Sequence, residues 1–188
     1  MPPSIYLLHS TLIVSRSEAR LKSFQLFSGN APNLFAKCFA TGSETVHHWK
    51  AYANGVSGCC VEFRYNSFIK ALRNINGIRY GDVKYKKLYE AEWETIPSID
   101  IPFTKRFAFR YEKEFRILWE GKISKDFFEV EIDPVVIQKI TLSHNMPAGV
   151  VGAVKDVCRD IAGKHIKINH STLYRNSRWI KALGKKTD

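Results

Sequence analysis

The chain has 188 residues, a formal net charge of +11 and a sequence pI near 9.6. That length suits one ordinary domain with a real core, and 45% hydrophobic with 25% charged residues excludes wholesale disorder. The charge favours anionic partners (nucleic acid, a phosphorylated cofactor or an acidic macromolecule) over neutral metabolites, although no long run of cations occurs and a merely soluble basic surface is an equal alternative.

In chain order, "SIYLLHSTLIV" predicts an opening strand, and residues 17–27 a short amphipathic piece ending at the turn "SGNAPN". The N-terminus carries no basic leader or cleavage site, and no stretch reaches the roughly 18 apolar residues of a membrane span, so a cytoplasmic protein without membrane contact is expected. "LFAKCFA" reads as a buried strand. In "TGSETVHHWKAYANG", Thr41 with Glu44 forms a capping box, Gly55 supplies a stop, and Trp49 and Tyr52 are placed on one helix face. "CCVEFRY" alternates as a strand with Cys59, Val61 and Phe63 together. Its adjacent cysteines point to opposite faces and, with Cys38 and Cys158, show no zinc spacing, so reduced thiols and no metal are expected.

Asn66 is placed as the cap of a helix whose Phe68, Ile69, Leu72 and Ile75 recur at helical spacing before Gly77. "IRYGDVKY" predicts a strand bulged at Gly81, and residues 89–102, proline-containing and without periodicity, a long loop. Around "RYEKEFRILWEG" the pattern predicts helix to Tyr111 and a strand from Glu114. On that strand Phe115, Ile117 and Trp119 face one way and Glu114, Arg116 and Leu118 the other. "FFEVEI" and "QKITLS" are further strands. Pro147 opens a helix with Val150, Val154, Val157, Cys158 and Ile161 as its apolar stripe, Gly163 closes it, and "HIKINHS" returns as a strand before a basic tail over residues 176–188. The mixture predicts one α+β domain over residues 1–188, with a mixed, mainly antiparallel sheet and flanking helices.

Taken together, "CFATGSETVHHWKAYANGVSGCCVEF", "IRY", "VKY", "TKRFAFRYEKEFRIL" and "INHSTLYR" occur in the order and rough spacing of the bacterial family known as domain of unknown function 2971, which the chain resembles over residues 34–175. That resemblance implies a map of positions and no reaction; the family's Tyr-Arg motif and Asn-Asp-Pro loop are not visible. A second resemblance, to the ADP-ribosyltransferases, rests on "LLHST" with His9, "CFATGSETVHHWKAY" with Tyr52 and "EFRIL" with Glu114, in that order. "HST" is similar to the His-Gly-Thr signature of the poly-ADP-ribosyl branch, with Ser10 in place of glycine. This resemblance implies an ADP-ribosyltransferase-like fold and NAD-dependent ADP-ribosyl transfer or NAD cleavage, in a bacterial toxin or defence setting, with nucleic acid or an acidic macromolecule as acceptor. Glu114, His9 and Tyr52 would then be catalytic, and Trp49, Lys105, Arg116 and Thr11 would hold NAD. The residue types suit that chemistry: a carboxylate stabilises an oxocarbenium-like ribose, flat rings stack nicotinamide, and cations pair with a pyrophosphate. Arg116 beside Glu114 would also keep the carboxylate ionised.

Each of these residues has a structural alternative. Glu114 with Arg116 reads equally as an ion pair on one strand face, Trp49 and Tyr52 as core aromatics, Lys105 as a solvated cation, and His9 as a satisfied core histidine. Glu112 is expected at the surface, paired with Arg110 or Lys113. His47 and His48 diverge around a helix and make a poor metal pair. Two other functions are carried by other features. "HSTL" occurs at His9 and again at His170, like the paired His-x-Thr elements of two-histidine phosphoesterases. Aromatics interleaved with cations in "GIRYGDVKYKKLY" and "LYRNSRWIK" suit a non-catalytic nucleic-acid-binding or regulatory module.

Overall fold

Alternating phenylalanines build the centre of the protein. The structure, a computed structural model, describes residues 4–8, 13–15, 33–53, 55–121 and 127–184. In chain order its strands are β1 (Ser4–Leu8), β2 (Ile13–Ser15), β3 (Asn33–Thr41), β4 (Cys59–Arg64), β5 (Ile78–Asp82), β6 (Lys84–Lys86), β7 (Thr104–Arg106), β8 (Glu114–Gly121), β9 (Phe127–Glu129), β10 (Ile137–Leu142) and β11 (Lys167–His170). The helices are α1 (Val46–Tyr52), α2 (Tyr65–Leu72), α3 (Leu88–Trp93), α4 (Ala148–Ala162) and α5 (Ser177–Gly184). Seven strands form one sheet in the order β11-β10-β4-β1-β3-β8-β5, antiparallel throughout except for the parallel pair β10 and β11. Two small ribbons stand apart, β2 with β9 and β6 with β7. This is the α+β architecture the sequence predicts.

The two faces of the large sheet differ because successive side chains alternate. One face presents Phe39, Phe63, Phe115 and Ile117, against which α2 sets Phe68, Ile69 and Leu72. Further along the same face, Ile140, Leu142 and Ile168 receive Val151, Val154 and Cys158 of α4. The phenylalanines meet with centroids between 4.7 and 6.4 Å, mostly edge to face, and each such burial contributes about 2 kcal/mol. The other face carries Cys38, Glu114 and Arg116 on one side and Cys60, Glu62 and Thr141 on the other, with Trp49 of α1 packed on Cys60. Polar chemistry is therefore gathered on a single face. Among the described residues no helix is long and apolar enough to cross a membrane.

Several local expectations are corrected. The opening strand is two strands in different sheets, β1 and β2. His9, Thr11 and the amphipathic piece at 17–27 lie outside the described residues. Thr41 does not cap α1: it ends β3, bonding the Lys113 carbonyl through its amide at 2.7 Å, and Thr45 is the cap, accepting from His48 N at 3.2 Å. Helix α2 starts at Tyr65, so Asn66 lies inside it. "IRYGDVKY" is broken at buried Val83 and is regular at Gly81, which pairs with Arg116. The expected loop contains α3, whose first turn is held by the Glu90 carboxylate on Lys87 N; it buries no residue and so leaves no apolar period to detect. The expected helix before Tyr111 is strand β7 followed by a 3-10 segment at Phe107–Glu112. "FFEVEI" is a strand only to Glu129. On α4 the inward stripe is Val151, Val154 and Cys158, while Val150, Val157 and Ile161 are exposed. The basic tail begins with α5, whose first turn is capped by Asn176 Oδ1 on Trp179 N at 3.0 Å. Gly77 turns the chain into β5 with φ of 80°, and a Cβ there would meet the Glu120 carbonyl at 2.7 Å.

Candidate functional site

Four of the residues singled out in the sequence meet on the polar face. Strand β8 projects Glu114 and Arg116 to the same side, two residues apart, and Arg116 Nε donates to Glu114 Oε1 at 2.7 Å. Lys105 reaches over from β7, its Nζ 3.0 Å from Glu114 Oε2, and also binds the Glu112 carboxylate. Tyr52, from the end of α1, donates its phenol to Glu112. Beneath them the Cys38 thiol donates to Glu114 from β3, Tyr85 accepts the Glu114 backbone N–H at 2.8 Å, and Arg116 also binds the Pro102 carbonyl. The chain can deliver Glu112 and Glu114 to one cation because Lys113 between them takes a left-handed conformation with φ of 45°. Glu112 is thus a half-buried partner of Lys105, correcting its expected place at the surface with Arg110 or Lys113.

This cluster is closed electrostatically. Burial alone would raise the Glu114 pKa, but Arg116, the Cys38 thiol and Lys105 outweigh it and hold the carboxyl below its ordinary value. Loss of solvent and the Glu112 carboxylate push the Tyr52 phenol up, so it stays protonated. Loss of solvent around its sulfur and the adjacent Glu114 push Cys38 up to about 11. Glu114 is 4% exposed and both of its oxygens are taken by cations.

Trp49 faces elsewhere. It is 3% exposed and donates its indole N–H to Glu44 Oε2 at 2.7 Å, whereas Tyr52 is 40% exposed and lies beside His48, so the two aromatics do not share a face. Glu44, expected in a capping box, is instead a brace: the same oxygen accepts from Ser171 Oγ at 3.2 Å, tying α1 to the segment after β11. Trp49 then meets the edge of His144, with centroids 6.1 Å apart.

That edge opens into a cleft at the carboxyl ends of the parallel strands β10 and β11. Parallel neighbours end side by side, so the loops leaving them converge, a position open sheets commonly use for ligands. Here Leu142 pairs with His170, and two residues after Leu142 comes His144. A cavity of about 610 Å³ is lined by His144, Asn145, His170, Ser171, Thr172, Tyr174 and Arg175. His144 is stacked on Tyr174 at 4.2 Å. Two smaller cavities adjoin it, one of about 230 Å³ sharing His144 and Tyr174 and reaching Trp49 and Lys50, the other of about 330 Å³ sharing His170 and Thr172 and reaching Lys139 and Lys155. Glu114 lines none of these three.

Both histidines carry a buried ring nitrogen, Nδ1 of His144 and Nε2 of His170, with no hydrogen-bond partner among the described residues. Each such orphan costs about 1–3 kcal/mol; Arg79 Nε, away from the cleft, is left in the same way. His170 is half of the "HSTL" repeat noted in the sequence, but its neighbour in the structure is His144, which the sequence reading missed. The signal was present: "LSHN" and "INHS" are matching endings of two apolar strands. Among the described residues no group of three or more His, Cys, Asp or Glu could hold a metal ion. Comparison with known families, curated proteins and solved structures gave no match to this chain.

Proposed function

We propose that the protein hydrolyses a phosphate ester in the His144–His170 cleft. One observation carries this reading: two histidines, one ending β11 and one in the turn just after its parallel neighbour β10, line one cavity, and each has a buried ring nitrogen that nothing else in the described chain engages. Imidazole is the side chain suited to moving protons near neutral pH. One ring takes a proton from the attacking water while the other gives a proton to the leaving oxygen, as one P–O bond forms and another breaks. Arg175 and Thr172 line the same cavity and would bind the non-bridging oxygens, whose geometry a guanidinium matches. The test uses bis(p-nitrophenyl) phosphate. Turnover should fall by about 100-fold or more in His144→Asn and in His170→Asn, within the range general acid–base groups supply, with a loss of stability smaller than that of a core substitution. Equal turnover in both variants and the parent chain overturns the reading.

The convergence of Tyr52, Lys105, Glu114 and Arg116 favours a second reading, the NAD cleavage or ADP-ribosyl transfer expected from the sequence. There the bond from ribose to nicotinamide breaks, nicotinamide leaves, and water or an acceptor takes its place, with Glu114 stabilising the cationic ribose. The ligand would have to displace Lys105 or Arg116 from the carboxylate. Nicotinamide release lost in both Glu114→Gln and the surface variant Tyr52→Ala supports this reading, and no release by the parent chain removes it.

A further inference from the structure

The cleft is longer than one phosphate needs, and each of its two arms is lined by at least one lysine. The central chamber holds the histidines and Arg175; one arm runs past Tyr174 to Lys50 on the last turn of α1, the other past Thr172 to Lys155 on α4. Lys50 thus lines the first arm and Lys139 with Lys155 the second, whose wall also carries the Glu44 carboxylate, already bound by Trp49 and Ser171. Tyr174 lines both the chamber and the first arm and is 51% exposed, so it keeps ring surface available even though it is stacked on His144. The chain continues from Tyr174 and Arg175 into α5, which exposes Arg178 and Trp179.

We infer that the ligand of this cleft is a single-stranded nucleic acid that runs through all three cavities. This rests on the phosphate-ester reading above and names its substrate class. The phosphate between the histidines is then the scissile one, Lys50 and Lys155 neutralise its neighbours along the strand, and Tyr174, with Trp179 beyond it, stacks bases. Cations at intervals flanking a chamber suit a chain of regularly spaced charges, and rings interleaved with them suit bases, since every base has a face to stack. A free mononucleotide would use the chamber and leave both arms empty. An acidic peptide would satisfy the lysines but gain nothing from the rings, so the aromatics favour nucleic acid.

The experiment measures binding of a fluorescein-labelled single-stranded RNA of about ten nucleotides by anisotropy, a length matching one groove of this type. The expected affinity falls with salt at a log–log slope of about −2, for three phosphates neutralised by Lys50, Arg175 and Lys155. Lys50→Glu and Lys155→Glu should each weaken binding by about tenfold or more, and Tyr174→Ala by a similar factor. Adenosine monophosphate should compete only at far higher concentration. Competition by the mononucleotide at equal concentration, competition by a polyglutamate peptide of the same charge, or indifference to all three substitutions would each overturn the inference. The small diester separates the two claims. RNA that fails to bind while bis(p-nitrophenyl) phosphate is still hydrolysed removes only the substrate class. RNA that binds as expected, with no hydrolysis of either, removes the acid–base reading and leaves the strand-binding groove.

Discussion

The Glu114 cluster lies on the polar face of the large sheet and the His144–His170 cleft at the carboxyl ends of its two parallel strands, and helix α1 serves both, turning Tyr52 to the first and Trp49 to the second. They treat polar atoms in opposite ways. Around Glu114 both carboxylate oxygens meet cations, the thiol and the phenol each find a carboxylate, and even the backbone N–H is taken by Tyr85. In the cleft two ring nitrogens are shut in without partners among the described residues. A satisfied buried network rigidifies, whereas an unsatisfied one is unfavourable unless something outside the chain completes it. The difference fits a stabilising role for the first region and, on the proposed reading, chemistry in the second, although the first is where the sequence concentrates its charged motif.

The sharpest way to break this comparison is to remove the histidines. The expected loss of about 100-fold or more in diester turnover comes with a fall in stability no larger than the loss of the His144 ring contacts to Tyr174 and Trp49, because neither buried nitrogen donates or accepts any bond that folding would lose. A fall in stability comparable to that of a core substitution would show that the histidines hold the loops together, and the contrast between the regions would disappear.

Next in size is the opposite experiment. Glu114→Gln leaves Arg116 and Lys105 short of a negative partner in a buried site, and breaking such a pair costs about 3 kcal/mol. Urea unfolding should report that loss while diester turnover is kept. The same network sets a pH dependence. The folded Glu114 carboxyl lies below its ordinary value of 4.5, so its contribution is fully present above about pH 4.5 and is lost as pH falls through the folded value. Acid unfolding of the parent chain should therefore be steeper below pH 4.5 than that of Glu114→Gln. Identical profiles would show that the network holds nothing together.

How much of this was legible follows the same division. The apolar face was readable because Cys59, Val61 and Phe63 alternate and Phe68, Ile69 and Leu72 recur at helical spacing, and both patterns are direct images of burial. The convergence on Glu114 was partly readable, since alternation puts Glu114 and Arg116 on one side of β8. The inward turn of Glu112 was not, because it depends on the left-handed Lys113, which no periodicity marks. The cleft was hidden for a different reason. His144 and His170 are 26 positions apart by their numbering and become neighbours only because β10 and β11 pair in parallel across α4. Sequence repeats pointed to His9 as the partner of His170, a residue outside the described ones, while the sheet supplies His144 instead.

The smallest effect expected is on cysteine chemistry, and it separates accessibility from reactivity within the Glu114 region. Cys38 is exposed as a residue, yet its thiol is held up near 11 by loss of solvent around the sulfur and by the Glu114 carboxylate to which it donates. The thiolate is the reacting species, so iodoacetamide at neutral pH should modify Cys38 more slowly than an ordinary surface thiol. In Glu114→Gln the carboxylate charge is gone while Arg116 remains beside the sulfur, and labelling should accelerate. Rates read by mass spectrometry of the Cys38 peptide would test this under native conditions, with buried Cys60, held near 12, as the internal reference that stays unlabelled in both chains. Acceleration at Cys60 as well would mean that the substitution loosens the whole face, whereas acceleration confined to Cys38 locates the effect in the charge of Glu114 itself.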